Sequence, residues 1–171
     1  MGPDLAGAEA VRFGHFARAE DSDSADLRAS LPEAQWQQIW FLALQQPWSS
    51  LVLVPAHPGF SALFVAEALA DVGRLHGHRP VKLLNAERVD LPDIARVLGP
   101  LAALTSREER AVVAAECPLA RAASIPIARA ADVAVLVVPL GEGRFSDARR
   151  AMELVGRDRF VGAITVEPRK R

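Results

Sequence analysis

The stretch Ser50–Gly73, SLVLVPAHPGFSALFVAEALADVG, decides the fold of this chain. SLVLVP is short and rich in β-branched residues, which predicts a buried strand, and AHPG at residues 56–59 predicts a tight turn. After Phe60 the apolar residues recur at helical spacing, which predicts a helix. A strand that turns tightly into a helix presents backbone N–H groups to a phosphate. The stretch therefore has the frame of a phosphate-binding turn.

Length and composition predict one compact, soluble domain. A chain of 171 residues with a formal net charge of −1 has no general attraction to nucleic acid or to an anionic membrane. The single cysteine, Cys117, excludes an internal disulfide and favours a reducing cytoplasm. We see no signal peptide, and no apolar run reaches the roughly 18 to 20 residues that span a bilayer, so we expect no direct membrane insertion.

The chain divides into an arm, a domain and a short tail. Residues 1–29 mix Gly, Ala, Asp and Ser without sustained periodicity, which predicts a mobile N-terminal arm. Residues 30–168 form the single predicted domain, and residues 169–171 form a basic tail. A helix is predicted from about residue 30 to residue 46, with tryptophans on its apolar face.

These tryptophans are Trp36 and Trp40. Large aromatic side chains usually fill cores, so we expect both to pack onto the domain. The alternative is that they form a partner-binding site.

Strands and helices alternate along the rest of the domain. This order predicts a three-layer α/β fold with a mainly parallel sheet of about five strands flanked by helices. One segment is ambiguous: residues 107–116 suit either a capped helix or a buried strand, and the alternation favours a strand from about Arg110. The remaining predicted elements are a strand at 81–87, a short helix at 91–98 ended by Gly99 and Pro100, a broken helix at 119–131, a strand at 133–139, a helix at 146–155 and a strand at 160–166.

Three segments, in order, carry a resemblance to a known family. PAHPGFSALFVAEALA aligns without a gap with S-A-T-P-G-E-G-K-S-T-V-A-A-N-L-A, VKLLNAE aligns with V-L-L-I-D-A-D, and AVVAAECP aligns with a strand that ends in D-x-P-P. Together with the tail that follows, they cover residues 31–166. The chain resembles the cytoplasmic ATPase domain of the bacterial tyrosine kinases of capsule and exopolysaccharide export, a branch of the deviant Walker P-loop ATPases.

The main departures from the family pattern remove groups that would hold magnesium and triphosphate. Ala62 stands where the resemblance places the phosphate-binding lysine, and Leu63 stands where it places a magnesium-ligating hydroxyl. The resemblance makes the whole turn a vestigial phosphate loop, and the second and third segments supply vestigial positions of the A′ and Walker B motifs. These positions are His57, Pro58, Gly59, Phe60, Ser61, Ala62 and Leu63 in the loop, Asn85 and Glu87 for A′, and Ala115 for Walker B, where a one-residue shift would place Glu116 instead.

Loss of these groups predicts a protein without catalysis. One missing electrostatic group commonly costs phosphoryl transfer a hundred- to a thousandfold in rate, and here several are missing. A kinase of this family would also need a C-terminal tyrosine cluster, and the chain has no tyrosine. We therefore expect no bound cofactor and no metal.

The resemblance then implies a pseudo-ATPase or pseudokinase domain. Its role would be that of a regulator or scaffold near polysaccharide synthesis and export. The implied partner is a protein, either a second copy of the chain or an active ATPase or kinase relative. The implied location is the cytoplasm, with recruitment to the inner membrane through that partner.

Alternative functions remain open at this stage. The turn at Pro58–Ser61 retains N–H groups that attract an anion, so one alternative is a nucleotide-binding ATPase or kinase that uses His57, Ser61 and Glu116. Another is a degenerate recombinase-like domain that binds a DNA-repair or cell-division protein. A pair of loop histidines, His76 and His78, lacks an identifiable third metal ligand, and Cys117 lacks a histidine to activate it.

Overall fold

The fold is a single all-parallel sheet covered by helices on both faces. The computed structural model describes the backbone of residues 11–18 and both backbone and side chains of residues 33–167. Six strands lie in the order β1-β6-β5-β2-β4-β3, and every neighbouring pair is parallel. The strands are β1 (Val11–Arg18), β2 (Ser50–Pro55), β3 (Val81–Ala86), β4 (Arg110–Ala115), β5 (Val133–Pro139) and β6 (Phe160–Glu167).

Five α-helices connect or precede these strands. Two single turns of 3-10 helix, Leu91–Asp93 and Arg157–Arg159, lie between them. None of the helices in the described part of the chain is both long and apolar enough to cross a membrane. The helices are α1 (Glu33–Ala43), α2 (Leu63–His76), α3 (Ala95–Ser106), α4 (Ser124–Ala130) and α5 (Phe145–Val155).

The side chains of β2 point alternately to the two faces of the sheet, and the core accordingly has two layers. Leu51 and Leu53 point into a cluster with α1 and α2, whereas Val52 and Val54 point into a second cluster that includes side chains of α3, α4 and α5. Successive side chains of a strand face opposite sides of the sheet, and a strand that is apolar on both sides must be covered twice. The predicted three-layer α/β architecture is therefore confirmed.

The central strand–turn–helix unit forms where the sequence predicts it. The strand β2 runs from Ser50 to Pro55, and α2 starts at Leu63, slightly later than the predicted start at Phe60. The ambiguous segment contains a strand from Arg110, as favoured by the alternation. Pro126 lies in the first turn of α4, where a missing N–H is tolerated, so it does not break this helix.

The predicted end of the helix after β3 is wrong. Gly99 and Pro100 lie inside α3, which continues to Ser106. Both residues are exposed to solvent. Water can therefore bond the Arg96 carbonyl that loses its partner at Pro100, while Val97 and Leu101 hold the helix against the sheet.

An edge strand replaces part of the predicted N-terminal arm. Residues Val11–Arg18, within the predicted arm, form β1, which pairs in parallel with β6. The rest of the predicted arm lies outside the described residues, as do the predicted cap at Ser30 and the basic tail. With β1 the sheet has six strands, in keeping with the predicted sheet of about five.

The tryptophans of α1 pack inward. Trp36 is 3% exposed and Trp40 is 1% exposed, so they belong to the core and the alternative of a partner-binding site at these rings is wrong. Trp48 joins them, because its ring stands edge-on to Trp40 with centroids 5.6 Å apart and its Nε1 donates to the Ala43 carbonyl at 2.9 Å. The α1–α2 layer is thereby fixed against β2.

Candidate functional site

The candidate site lies where four strands end at one edge of the sheet. The β2–α2 turn (residues 56–62) follows β2, Glu87 follows β3, Glu116 follows β4 and the loop at residues 140–144 follows β5. The chain leaves β2 toward the α1–α2 layer but leaves β4 and β5 toward the other layer. Such a reversal opens a crevice at the carboxyl ends of the strands, which is where α/β proteins bind ligands.

The turn itself is held from one side by the loop after β5. Backbone pairing of β2 with β5 extends to Ala56, whose N–H donates to the Val137 carbonyl at 2.8 Å. Gly59 turns the chain with a φ of +83°. A Cβ at Gly143 would lie 2.2 Å from His57 Cδ2, so glycine is needed there to let the loop lie against the histidine ring. His57 is thus a packing element of the turn, with a half-buried side chain.

The first turn of α2 is apolar. Ala62, at the lysine position of the resemblance, is fully buried in the core, and Leu63 is half-buried. The rings of Phe60 and Phe64 meet edge-on with centroids 6.0 Å apart. These side chains supply neither a cation nor a metal ligand.

A carboxylate of the chain itself occupies the N-terminus of α2. Glu87 Oε1 accepts a hydrogen bond from Ser61 Oγ at 2.6 Å and another from the Ala62 N–H at 3.1 Å. Ser61 Oγ in turn accepts from the Leu63 N–H at 3.2 Å. The free N–H groups of a helix start carry partial positive charge, so a carboxylate is stabilised there. Glu87 and Ser61 together cap α2, whose own cap residue is an alanine.

Asn85 shapes the turn that carries Glu87. Its Oδ1 accepts from the Glu87 N–H at 3.0 Å, which is the local bond by which asparagine stabilises a turn. Arg88, the next residue, adopts a left-handed conformation with a φ of +62°. Asn85 therefore positions Glu87, and its amide oxygen is already in use.

A second network joins the ends of β3 and β4. Glu116 Oε2 accepts from Arg121 Nε at 2.6 Å and from the Arg88 N–H at 3.1 Å, and Arg121 Nη1 also pairs with Asp90. The hydrogen bond to Glu116, with the charges of Glu116 and Asp90, raises the pKa of the Arg121 guanidinium. Ala115, at the Walker B position of the resemblance, is completely buried and presents no polar group.

The structure thus brings together most of the predicted vestigial positions but gives them new partners. The turn residues, Asn85, Glu87 and Glu116 meet at one edge, whereas Trp36 and Trp40 lie in the core. Arg121 and Asp90 were not predicted, because nothing in their spacing from Glu116 indicates an ion pair. In the described part of the chain we find no group of three side chains with metal-ligand chemistry.

Cys117, the residue after Glu116, is completely buried. It is a free thiol with no exposed surface, and its carbonyl accepts from the N–H groups of Ala120 and Arg121 at 2.9 and 3.0 Å. Burial raises the pKa of the Cys117 thiol, which disfavours the reactive thiolate.

We therefore expect Cys117 to be protected from alkylation in the native protein. Iodoacetamide at mildly alkaline pH should modify it at least about a hundredfold more slowly than in the same protein unfolded in guanidinium, since reaction requires opening of the fold. Mass spectrometry over time measures both rates. Equal rates in the two states would show that the thiol is accessible and would revive a reactive role.

Comparisons with known proteins add no identification at this point. No protein-family model matches the chain, and no curated protein is significantly similar to it.

Proposed function

We propose that this chain is a non-catalytic, P-loop-like domain that acts by binding protein, as a regulator or scaffold. The observation that carries the proposal is the Glu87 carboxylate on the N-terminus of α2. The resemblance places the phosphates of a nucleotide at this helix start. The chain instead supplies its own anion at this position, where Glu87 accepts from the Ala62 N–H and from the Ser61 hydroxyl.

Charge opposes a triphosphate in this crevice. A phosphate oxygen within about 4 Å of the Glu87 carboxylate would be repelled by about 4 kcal/mol at an effective dielectric constant of 20. That energy corresponds to roughly a thousandfold loss of affinity. The lysine that would offset the repulsion is absent at Ala62, and Lys82, the one lysine among the described residues, lies on the edge strand β3.

Glu116, the acidic residue that follows β4, already has other hydrogen-bond partners. Glu116 would have to hold magnesium or orient a water if the chain used unusual catalytic residues. Its Oε2 is bound by Arg121 and by the Arg88 N–H. Ser61, the other candidate, donates its hydroxyl to Glu87. These bonds favour a structural role for the crevice over an enzymatic one.

The biological setting of the proposal comes from the resemblance alone. A domain that has lost its nucleotide site can keep the interaction surfaces of its fold, so the natural partners are a second copy or an active ATPase or kinase relative. The setting would be polysaccharide synthesis and export, in the cytoplasm at the inner face of the membrane. A protein partner would then bring the chain to that membrane.

Thermal unfolding with and without nucleotide tests the non-catalytic part of the proposal. We expect no change in Tm when ATP and magnesium are added at millimolar concentration, because the crevice repels the triphosphate. An active P-loop ATPase assayed in parallel provides the control.

A ligand at a hundred times its Kd stabilises the folded state by about 2.7 kcal/mol. A shift of that order, dependent on both ATP and magnesium, would contradict the proposal and favour an enzyme with unusual site residues.

A further inference from the structure

The sequence from Ala34 to Ala66 contains no Asp, Glu, Lys or Arg. This segment includes all of α1 after its first residue, so Glu33, whose Oε1 accepts from Gln37 Nε2 at 3.3 Å, is the one charged residue of this surface helix. The solvent-facing side of α5 is the usual contrast, with Arg149, Arg150 and Glu153. Exposed helix faces of soluble proteins normally carry several charged residues, so the scarcity of charge on the exposed face of α1 needs a physical explanation.

A groove of about 480 Å³ runs along this face. Phe41 stands in it with 52% of its surface exposed. His76 at the end of α2 supports one side of it, because its ring lies 6.3 Å from the Phe41 ring and its Nε2 lies 3.2 Å from Gln37 Nε2. The groove is lined by Ala34, Gln37, Gln38, Phe41, Leu42 and Gln45.

We propose that this groove binds α1 of a second copy of the chain. The proposal rests on the proposed protein-binding function and names the partner. In a two-fold symmetric contact, a side chain near the axis meets its own copy, so a charged residue would meet a like charge. A glutamine amide is both donor and acceptor and can pair with its own copy. A different partner could equally have been matched by opposite charges, so the uncharged glutamine face favours self-association.

The small size of the α1 face limits the affinity that we expect for the dimer. The eleven residues of α1 extend about 16 Å, and two such helices crossing each other bury an area at the low end of specific interfaces. The dimer should therefore be reversible, with a Kd on the order of micromolar. Phe41 is the expected anchor, since an exposed aromatic ring that becomes buried in the groove of the second copy contributes most in such contacts.

Sedimentation velocity of the full chain across a range of concentrations tests the proposal. We expect the unmodified chain to dimerise and Phe41→Glu to raise the Kd at least tenfold, because the variant places two carboxylates in the contact. Phe145→Glu is the matched control, since Phe145 is 88% exposed on α5, in the opposite layer, and the change should leave the Kd unaltered. Circular dichroism checks that both variants are folded.

Cross-linking through a new cysteine gives an independent measurement. Gln38→Cys places a thiol in the groove, and the native Cys117 is buried and cannot compete for it. Mild oxidation should give a covalent dimer of Gln38→Cys. The Ser146→Cys chain, changed at an exposed position of α5, should give markedly less.

Two results would overturn the dimer. One is a monomer at every concentration up to about a hundred times the expected micromolar Kd, and the other is a dimer that Phe41→Glu leaves unchanged. These outcomes are separate from failure of the proposed function, which the nucleotide-dependent Tm measures. A monomer without a nucleotide shift overturns only the dimer, and a dimer stabilised by ATP and magnesium overturns only the non-catalytic proposal.

Discussion

Replacing Trp40 by alanine is expected to lower the free energy of unfolding by about 3–5 kcal/mol, the usual cost of removing a large buried aromatic side chain. Trp40 is among the largest fully buried side chains and contacts Trp48 edge-on. The Arg110 guanidinium also lies 6.0 Å from its ring. Removing the ring leaves a cavity between α1, α2 and the sheet. Urea denaturation followed by circular dichroism measures the change.

Gly73 provides a second, coupled variant for the same contact. A Cβ at Gly73 would lie 2.4 Å from Trp40 Cη2, closer than two carbon atoms that are not bonded to each other can approach. Gly73→Ala should therefore destabilise the unmodified chain by about 1–3 kcal/mol through overpacking. In the Trp40→Ala background the same change should be neutral or stabilising by up to about 1 kcal/mol, because alanine favours a helix.

A double-mutant cycle over Trp40 and Gly73 measures this coupling. Leu75→Ala, at an exposed position of the same helix, serves as a control and should change stability by less than about 0.5 kcal/mol. Additive effects of Trp40→Ala and Gly73→Ala would show that α1 does not pack on α2 in the way described.

Replacing Glu87 by alanine is expected to destabilise the fold by about 1–2 kcal/mol. The change removes a charged acceptor from the N-terminus of α2 and leaves the Ser61 hydroxyl and the Ala62 N–H without it. Loss of a helix cap typically costs about 1 kcal/mol, and loss of a negative charge at a helix start adds 0.3–1 kcal/mol at low salt. Urea denaturation at low ionic strength measures the effect.

The glutamine variant separates the two contributions. Glu87→Gln keeps an acceptor oxygen of the same shape but removes the charge, so about half of the loss should remain and it should shrink as salt is added. Glu67→Gln, at a half-buried position in the second turn of α2, is the comparison for a carboxylate farther from the helix start. If Glu87→Ala and Glu87→Gln were both as stable as the unmodified chain, the carboxylate would not be the cap of α2.

Strands were predictable where they are apolar on both faces of the sheet, and helices were predictable where apolar residues recur at helical spacing. The strands β2 and β5 are apolar on both faces, and the predicted β5 has the observed bounds, Val133–Pro139. Sequence signals for the ends of elements were misleading where tertiary packing stabilised a different structure. Gly99 and Pro100 should end a helix, but the buried side chains of Val97 and Leu101 hold α3 together across them. The strand β1 has no strong pattern of its own and forms by pairing with β6.

The candidate site was also predictable only in part: the positions of its residues were predictable, and their contacts were not. Alignment of three segments placed the turn, Asn85, Glu87 and Ala115 at corresponding positions, with Glu116 one residue beyond the last, and the parallel sheet brings them to one edge. Their hydrogen-bond partners were not predictable, because Glu87 and Ser61 are 26 residues apart and Glu116 binds an arginine that belongs to no motif. A spacing rule describes contacts within one element, and these contacts join different elements.

The sequence by itself determined the alternation of strands and helices, the strand–turn–helix frame and the absence of lysine and tyrosine where a kinase would need them. Those properties depend on residue type and on local periodicity. Only the tertiary structure decided that the Glu87 carboxylate caps α2, that Arg121 holds Glu116, and that α1 turns its tryptophans inward and its glutamines outward. Such contacts depend on the order of strands in the sheet, which brings distant residues within hydrogen-bond reach.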